Sequence, residues 1–568
     1  MRSLRSRGDP PAAWALLIVL CTASALLVVI LGTKLTFFND DWWFLLQRPG
    51  LESGGGVDTL LAPHNGNIVV LLALLYKLLV AIFGLGSQLP FRLVLGMTMA
   101  CLGLLVFVLV RDRLGAVLGL AAAAVVLFLG PAWEVLLFFA SFSHLGSLTL
   151  GIAALLTMEI DTPRRNAVAC VLLVCATLLF NLGIPFVAGA AVVIALRRRP
   201  AQLWIAGVPA ALFALWWLLY GSKHPSGVTW SNIEHLPGYA VGSISSGLTS
   251  VTGLSGTGLY HGSAASTLHR GHVLAAILAL AVVIWLLRGG RPTRWFLAVG
   301  AAALTFWLLS GAGYVPGREA GASRYQLTDA VLLILLAAEL LRGIRLNRAA
   351  LWAASVAAVL IVTSNLDSLR SGYDFMRDHA GYVKADLGAL EVAGPSAPSG
   401  LWLLQPVARD PYLSGVTAGR YFAQIAAHGL PAYDTPAQLE VASPRYQQAA
   451  DSVLAAAYRL SPRPISGAGS GGTGVGGCRR LEASVAPPGP SLALTAGTIV
   501  VRNPSKAPLV IGMRRFAPSS LPDYVGFLAA RSSSAMSIPR DSLARAWRIN
   551  ISNPSRTPGA AVTVCQDQ

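Results

Sequence analysis

The polar stretch Phe37–Asn67 lies between two long apolar runs and holds a dense group of reactive side chains. Two adjacent carboxylates, Asp40 and Asp41, are followed directly by Trp42, and His64 comes later in the stretch. A carboxylate close to lipid is costly unless it is hydrated, paired or bound to a metal ion. Such a group can accept the proton of a hydroxyl as a general base, and two neighbouring carboxylates can bind a divalent cation, Mg²⁺ or Mn²⁺. A solvated loop with tryptophans anchored at the headgroup layer is the other interpretation.

Two later polar stretches contain side chains of complementary charge. Glu134 and His144 belong to one, and the other is Tyr314–Gln326. Guanidinium groups bind phosphate in bidentate fashion, although arginines near a membrane surface can also simply extend to the interface. The histidine spacing matches no zinc site, and no nucleotide-binding fingerprint is present. We therefore predict a site with Asp40 and Asp41 as base or metal ligands, Arg318, Arg324 and Tyr325 at a phosphate, and Trp42, His64, Glu134, His144 and Tyr314 at the remaining ligand groups.

Composition indicates a multi-pass membrane protein. The chain has 568 residues, of which 54% are hydrophobic and 12% charged, and apolar runs long enough to cross a bilayer recur over two thirds of it. The net charge of +17 comes from arginine clusters between these runs. Such clusters determine membrane topology and contact anionic lipid, and they lack the pattern of a nucleic-acid surface. The bilayer is the predicted partner, and no nucleic acid is.

The arginine clusters predict about eleven transmembrane helices, with the N-terminus in the cytoplasm and the C-terminal part outside. The segment Ile68–Phe83 is interpreted as a juxtamembrane or re-entrant helix, and Tyr220–Gly271 as a long external loop. Asn181–Pro185 should break one apolar run, either as a packing kink or as a helix start whose N–H groups face a phosphate. The remaining predicted apolar helices are Ala12–Leu31, Phe91–Val110, Gly115–Leu129, Leu145–Met158, Val168–Leu196 (around the break), Leu203–Leu219, Val273–Leu287, Trp295–Leu309, Leu327–Leu341 and Ala349–Thr363.

The polar C-terminal part should lie outside the membrane. We predict a transmembrane domain over 1–364, an extracytoplasmic mixed α/β region over 365–462, a Gly/Ser linker over 463–477 and a β-rich module over 478–568. Short segments with β character, separated by Asn-Pro and Pro-Ser turns, are typical of a β-sandwich; they are Leu492–Arg502, Leu509–Phe516, Ala546–Ile551 and Ala560–Cys565. Cys478 and Cys565 bracket this module, so a disulfide between them is expected outside the cytosol, with two free thiols as the alternative. Three of its aromatic residues, Trp547, Tyr524 and Phe516, could stack on sugar rings or fill the core.

Several short motifs resemble those of the GT-C superfamily of membrane glycosyltransferases. They are Asn39-Asp40-Asp41-Trp42 after the first helix, the Pro63-His64 pair, a Tyr-Lys-Leu-Leu helix ending at Phe83-Gly84, and Arg92 at the start of the next span. The resemblance is to the protein O-mannosyltransferase, aminoarabinose transferase and arabinofuranosyltransferase type. It covers the layout of residues 12–363 and, in the arabinofuranosyltransferase branch, a soluble C-terminal domain.

The resemblance implies a plasma-membrane enzyme that uses a polyprenyl-phosphate-linked sugar as donor and a glycan, lipid or protein as acceptor. By motif, the base or metal-ligand role falls on Asp40 or Asp41, and phosphate binding falls on Arg318 or Arg324. The fold expected is therefore GT-C-like, with about eleven transmembrane helices and a C-terminal extracytoplasmic α/β region that ends in a β-sandwich-like module. The alternative is a transporter or a lipid-linked-sugar flippase with the aspartate pair as coupling site. Transport would favour acids inside the spans, and the acids are interpreted here as loop residues.

Overall fold

A computed structural model describes residues 11–47, 56–223, 227–255, 264–344, 346–403, 413, 415–465, 477–486, 489–541, 543–556 and 558–566. The chain forms two compact units. Unit 1 comprises Met1–Leu35, Arg48–Phe83 and Gln88–Met376, and unit 2 comprises Thr36–Gln47, Gly84–Ser87 and Arg377–Gln568. Each unit has its own hydrogen-bonded core, as described below.

The helices occur in both units. They are α1 (Pro11–Gly32), α2 (Asp40–Trp42), α3 (Gly56–Leu61), α4 (Val70–Phe83), α5 (Leu89–Leu114), α6 (Ala116–Leu127), α7 (Trp133–Leu137), α8 (Phe142–Thr157), α9 (Pro163–Leu179), α10 (Gly183–Arg197), α11 (Trp204–Leu219), α12 (Trp230–Glu234), α13 (Leu236–Thr252), α14 (Ala264–Leu287), α15 (Arg294–Ala312), α16 (Ser323–Leu340), α17 (Arg348–Ala393), α18 (Ala418–His428), α19 (Pro436–Val441) and α20 (Pro444–Ala457).

Among the described residues, eight helical segments are long and apolar enough to cross a membrane. The helices α4 and α10 are apolar but shorter. Together with the composition, these segments identify a multi-pass helical membrane protein. The predicted number of crossings and the sidedness of the loops stay predictions.

The predicted external loop Tyr220–Gly271 is wrong over most of its length. The structure contains α12 and α13 there, and α14 begins at Ala264. The stretch is rich in Gly, Ser and Thr, which is typical of a loop in water. Inside a membrane bundle the same small residues let helices approach closely. A Cβ added to Gly247 would lie 2.7 Å from Leu333 and 2.8 Å from Asp329, so α13 packs tightly on α16.

The predicted break near Asn181 agrees with the structure to within a few residues, whereas the predicted end of the last apolar helix does not. The break near Asn181 is present, because α9 ends at Leu179 and α10 begins at Gly183. The last apolar helix was expected to end at Thr363, but α17 continues to Ala393. The residues after Thr363 include too few apolar side chains for a membrane-spanning segment, so the sequence prediction ended there. Their amphipathic pattern nevertheless supports a helix.

Acidic residues lie inside a predicted span, which contradicts the interpretation that all of them belong to loops. Asp329 and Glu339 are both on α16 and are 0% and 4% exposed. Glu339 forms an ion pair with Arg113, which also pairs with Glu159 at 2.9 Å. Thr293 donates to the second oxygen of Glu339 at 2.7 Å. This network joins the ends of α5, α15 and α16, whereas no cation among the described residues pairs with Asp329.

Unit 2 contains a β-sandwich. Its strands are β1 (Arg463–Pro464), β2 (Cys478–Glu482), β3 (Ser491–Ala493), β4 (Gly497–Asn503), β5 (Leu509–Arg514), β6 (Asp523–Leu528), β7 (Ser532–Ile538), β8 (Arg548–Ser552) and β9 (Ala561–Gln566). One antiparallel sheet has the order β1-β7-β4-β9-β2 and the other β3-β8-β5-β6. A disulfide joins Cys478 and Cys565, which face each other across β2 and β9 with a Cα–Cα distance of 4.1 Å.

Two details of the C-terminal prediction need correction. The predicted linker begins too early, because Arg463 and Pro464 form β1 and pair with β7; residues 466–476 of that linker lie outside the described part. Of the aromatic residues considered as ligand platforms, Phe516 and Trp547 are each 2% exposed and belong to the core, whereas Tyr524 is 54% exposed. Burial of large aromatic rings is what stabilises a small core.

A buried carboxylate attaches the sandwich to helix α20. Asp451 accepts backbone N–H groups from Arg515 at 2.8 Å, Phe516 at 2.9 Å and Ala517 at 2.9 Å. Burial raises the pKa of Asp451 to about 6, although these three donors oppose the rise. The three N–H groups that surround the Asp451 carboxylate hold the connection between β5 and β6 against α20.

Candidate active site

Arg318 is a cation of unit 1 with few partners among the described residues. It is half-buried, and within the described part of the chain its guanidinium group donates only to the carbonyl oxygen of Asn65, at 3.5 Å. It forms no ion pair with any carboxylate in the described part of the chain. A guanidinium with unused N–H donors in a partly desolvated position is suited to bind an anion.

Arg324 differs from Arg318, because it forms an ion pair with Glu134. Its Nη2 lies 3.1 Å from Oε1 of Glu134, and the Glu134 side chain is 12% exposed. The backbone N–H of Glu134 also donates to Oγ of Ser323 at 3.0 Å. These contacts join the start of α16 to α7, so Glu134 holds Arg324 in place and offsets the unfavourable position of a cation at a helix N-terminus.

His144 and Tyr325 lie together beside these arginines. Their ring centroids are 6.2 Å apart, and His144 also packs on Phe180 at 4.2 Å. Both guanidinium groups, of Arg318 and Arg324, are within electrostatic range of His144 and Tyr325. The Tyr325 hydroxyl makes no hydrogen bond to another described residue. The cluster thus presents a phenol and an imidazole next to two cations.

Tyr314 lies at the more exposed side of the same loop. It is 37% exposed, its carbonyl accepts from Asn232 at 2.9 Å, and its ring is 6.3 Å from that of Tyr239. Tyr239 in turn donates its hydroxyl to the carbonyl of Arg318 at 3.1 Å. Tyr239 and Asn232 therefore fix the backbone on either side of Arg318, and neither residue was predicted to take part in the site.

The turn that contains His64 is held by the helix break. His64 and Asn67 pair their backbones. The Asn181 amide accepts from the N–H of Ile68 at 3.0 Å and donates to the carbonyl of Gly66 at 3.4 Å. Since Asn181 is used in this way, the break positions the turn. The role of this break as a helix start that faces a phosphate stays a prediction.

Unit 2 contains the two first-loop aspartates, and they differ in exposure. Asp41 is 2% exposed and accepts the N–H of Phe38 at 2.9 Å. Asp40 is only half-buried. Trp42 is fully buried, donates its indole N–H to the carbonyl of Phe37 at 2.9 Å, and so is a core residue of the loop. Of the two carboxylates, Asp40 is the one that a ligand can reach more easily.

A buried histidine that the sequence did not single out packs on this loop. The ring of His379, on α17, lies 5.6 Å from Phe38 in an edge-to-face arrangement and is 6% exposed. No group of three or more His, Cys, Asp or Glu side chains in the described residues could hold a metal ion. A divalent cation at Asp40 and Asp41 would therefore need water or phosphate oxygens to complete its ligands.

Comparisons with known proteins give weak likenesses only. No protein-family model matches the sequence, and no curated protein is significantly similar to it. The fold is similar to the crystal structure of ArnT from Cupriavidus metallidurans bound to undecaprenyl phosphate, with 12% identity and a TM-score of 0.39 over 70% of this chain and 83% of ArnT. It is also similar to the arabinosyltransferase EmbB from Mycobacterium smegmatis, with 14% identity and a TM-score of 0.31 over 100% of this chain and 66% of EmbB. At these values the likeness is too weak to decide the activity of this chain.

Proposed function

We propose that the protein is a membrane glycosyltransferase that moves a sugar from a polyprenyl-phosphate donor to a hydroxyl acceptor outside the cytoplasm. The observation that supports it most directly is the half-buried Arg318, which forms no ion pair with a described carboxylate and lies within electrostatic range of Tyr325 and His144. A phosphorylated lipid presents the anion that this cluster suits. The acceptor is proposed to be a glycan, lipid or protein.

The donor-phosphate role is assigned to Arg318, with Tyr325 as hydrogen-bond donor. As the sugar–phosphate bond breaks, negative charge grows on the phosphate oxygens, so a guanidinium there stabilises the transition state more than the ground state. Arg324 is assigned a positioning role, because its ion pair with Glu134 at 3.1 Å already engages it. His144 and Tyr314 are proposed to contact the ligand, and His64 to do so from the turn that Asn181 holds.

The general-base role is assigned to Asp40. A base must reach the hydroxyl whose proton it accepts, and the half-buried Asp40 meets that requirement better than Asp41, which is 2% exposed. We propose that a divalent cation, Mg²⁺ or Mn²⁺, uses Asp40 first if activity proves to be metal-dependent. Such an ion would neutralise phosphate charge. Loss of transfer in a chelator, restored by either ion, is the test of that part.

The experiment supplies the purified protein, in proteoliposomes, with labelled polyprenyl-phosphate sugars and membrane acceptors. We expect release of polyprenyl phosphate together with label in the acceptor. Asp40→Asn should lower the rate by about 10²–10⁴-fold at unchanged protein level. Glu482→Gln, in the exposed part of β2, is the matched carboxylate control and should keep full activity. Equal activity of Asp40→Asn and wild type would remove Asp40 from the reaction.

Transport or lipid flipping is the second candidate, and one observation favours it. Asp329 is an acid buried on α16, within the predicted span Leu327–Leu341, and ion-coupled transporters place such residues inside their spans. Movement of a fluorescent polyprenyl-phosphate sugar between leaflets, without chemical transfer and dependent on Asp329, would support transport and contradict the glycosyltransferase proposal.

A further inference from the structure

Asp329 is a carboxyl group enclosed by the helices of unit 1. It lies on α16, one turn after Tyr325, and is 0% exposed. The indole N–H of Trp307 donates to its Oδ1 at 2.7 Å. Its Oδ2 has no hydrogen-bond partner in the described part of the chain, and no described cation pairs with it.

The helices around Asp329 supply polar groups, and no described cation on them forms an ion pair with Asp329. On α13, Ser246 and Ser250 bond to the amide of Gln326 at 2.7 Å each, so these three groups satisfy one another. Glu339 is already bonded to Arg113 and Thr293. The titratable and charged groups on the elements packed against α16 are Tyr239 of α13, Arg294 of α15, Tyr325, Arg324 and Glu339 of α16 itself, Arg318 and Glu319 of the preceding loop, Glu134 of α7, His144 of α8, and Arg92, Cys101, Arg111, Asp112 and Arg113 of α5.

An ionised carboxylate in this place would lack both water and a cation. Burial of an unpaired charge costs far more than burial of the neutral acid. A proton is the smallest positive charge that removes this cost, and Oδ2 is the oxygen with room for it. We propose that Asp329 is a proton-binding site within the helix bundle, and that its proton is linked to the binding of a phosphorylated lipid at Arg318 and Tyr325. The second half rests on the proposed phosphate site.

The linkage follows from the positions of the charges. Residues four apart on a helix lie on the same face, and both Tyr325 and Tyr239 are within electrostatic range of Asp329. A phosphate beside Tyr325 would repel an ionised Asp329, so the anion and the proton favour each other. The coupling is reciprocal. Two like charges about two helical turns apart change each other's binding on the order of tenfold at an effective dielectric constant of about 20.

The proton can be observed directly by infrared spectroscopy. At neutral pH the wild type should show the carbonyl stretch of a protonated carboxylic acid, and Asp329→Asn should lose it. Asp161→Asn, which removes a loop aspartate that bonds to Asn166 at 3.0 Å and Gln202 at 2.8 Å, is the control and should keep the band. If Asp329→Asn does not fold, Trp307→Phe replaces it: loss of the indole donor should shift the band. Absence of the band in the wild type, or its persistence in Asp329→Asn, overturns the proposal.

The linkage is tested by binding of undecaprenyl phosphate to the detergent-solubilised protein, with undecaprenol as the ligand control. As pH rises through the range in which the wild type loses its carboxylic-acid band, wild-type affinity should fall by on the order of tenfold relative to Asp329→Asn. The comparison cancels ionisation of the phosphate itself, because it occurs in the two proteins alike. Identical pH profiles would refute the linkage. Failure to detect sugar transfer, with the band and the linkage both present, would contradict only the proposed function.

Discussion

Replacement of Arg318 is the most direct perturbation of the proposed phosphate site. The side chain makes one long contact, 3.5 Å to the carbonyl of Asn65, and no ion pair with a described carboxylate. Arg318→Gln should therefore change the free energy of unfolding by less than about 0.5 kcal/mol, as is usual for a partly exposed residue without partners. Its effect on a bound phosphate should be much larger.

The magnitude follows from the hydrogen bonds that the guanidinium would make. A hydrogen bond to a charged group contributes about 1.5–3 kcal/mol, and each 1.36 kcal/mol is a tenfold change in rate. Arg318→Gln should thus lower kcat/KM for the lipid-linked sugar by about 10–100-fold. Arg318→Lys keeps the charge but loses the bidentate geometry, so its loss should lie between those of wild type and Arg318→Gln.

The assay measures kcat and KM for transfer from a polyprenyl-phosphate sugar, with protein level and thermal unfolding recorded for each variant. Arg342→Gln is the matched control: it removes an arginine beyond the opposite end of α16, 52% exposed and 3.6 Å from Glu339. It should leave kcat/KM unchanged. If Arg318→Gln matches wild type in kcat/KM while remaining folded, Arg318 does not bind the donor phosphate. The position of Arg318 then no longer supports the proposed function.

Three further predictions concern the first loop, the topology and the C-terminal unit. Asp41→Ala should destabilise the loop by about 1–3 kcal/mol, because the buried N–H of Phe38 loses its acceptor; limited proteolysis in detergent would detect the opening, and unchanged cleavage would contradict it. A cysteine at Lys506 should react with an impermeant maleimide on intact cells, whereas one at Thr162 should react only after the membrane is broken; the opposite result would invert the topology. The pKa of Asp451 is raised to about 6 in the folded state, from an ordinary value near 3.9, so the free energy of unfolding should fall by up to about 3 kcal/mol as pH rises from about 4 to 6. Thermal unfolding of Asp451→Asn should lack this dependence on pH. Equal pH dependence in the variant and the wild type would refute the prediction.

The positions of the apolar helices could be predicted because hydrophobic runs and arginine clusters are local signals. The helix α13 could not, since Gly242, Ser246 and Ser250 read as loop residues in water. They recur at intervals of four, however, and a spacing of small residues along one face is the signal that identifies a packed membrane helix. Applied to 236–252, it would have replaced the predicted loop with a helix against α16.

The C-terminal module was more predictable than the membrane part. Alternating residues and Asn-Pro turns mark strands locally, so segments near β4, β5, β8 and β9 were recognised. The strands β6 and β7 were missed because Asp523–Leu528 contains a glycine and Ser532–Ile538 is mostly serine, both unfavourable for a strand in isolation. Their pairing with β5 and β4 in the two sheets compensates for the weak local preference.

In the candidate site, the residue types indicate which reaction groups are present, but they do not indicate which of two identical residues contacts the ligand. Asp40 and Asp41 are the same residue at neighbouring positions, and no sequence pattern distinguishes which one serves the reaction. Adjacent residues on a helix point about 100° apart, so when α2 packs by one face, one carboxylate is buried and the other is not. The structure buries Asp41 and bonds it to Phe38 at 2.9 Å. Contacts separate the two arginines, because Arg324 is paired with Glu134 and Arg318 forms no ion pair with a described carboxylate. The more exposed aspartate, Asp40, and the arginine without that pairing, Arg318, are therefore the stronger candidates for contact with the ligand.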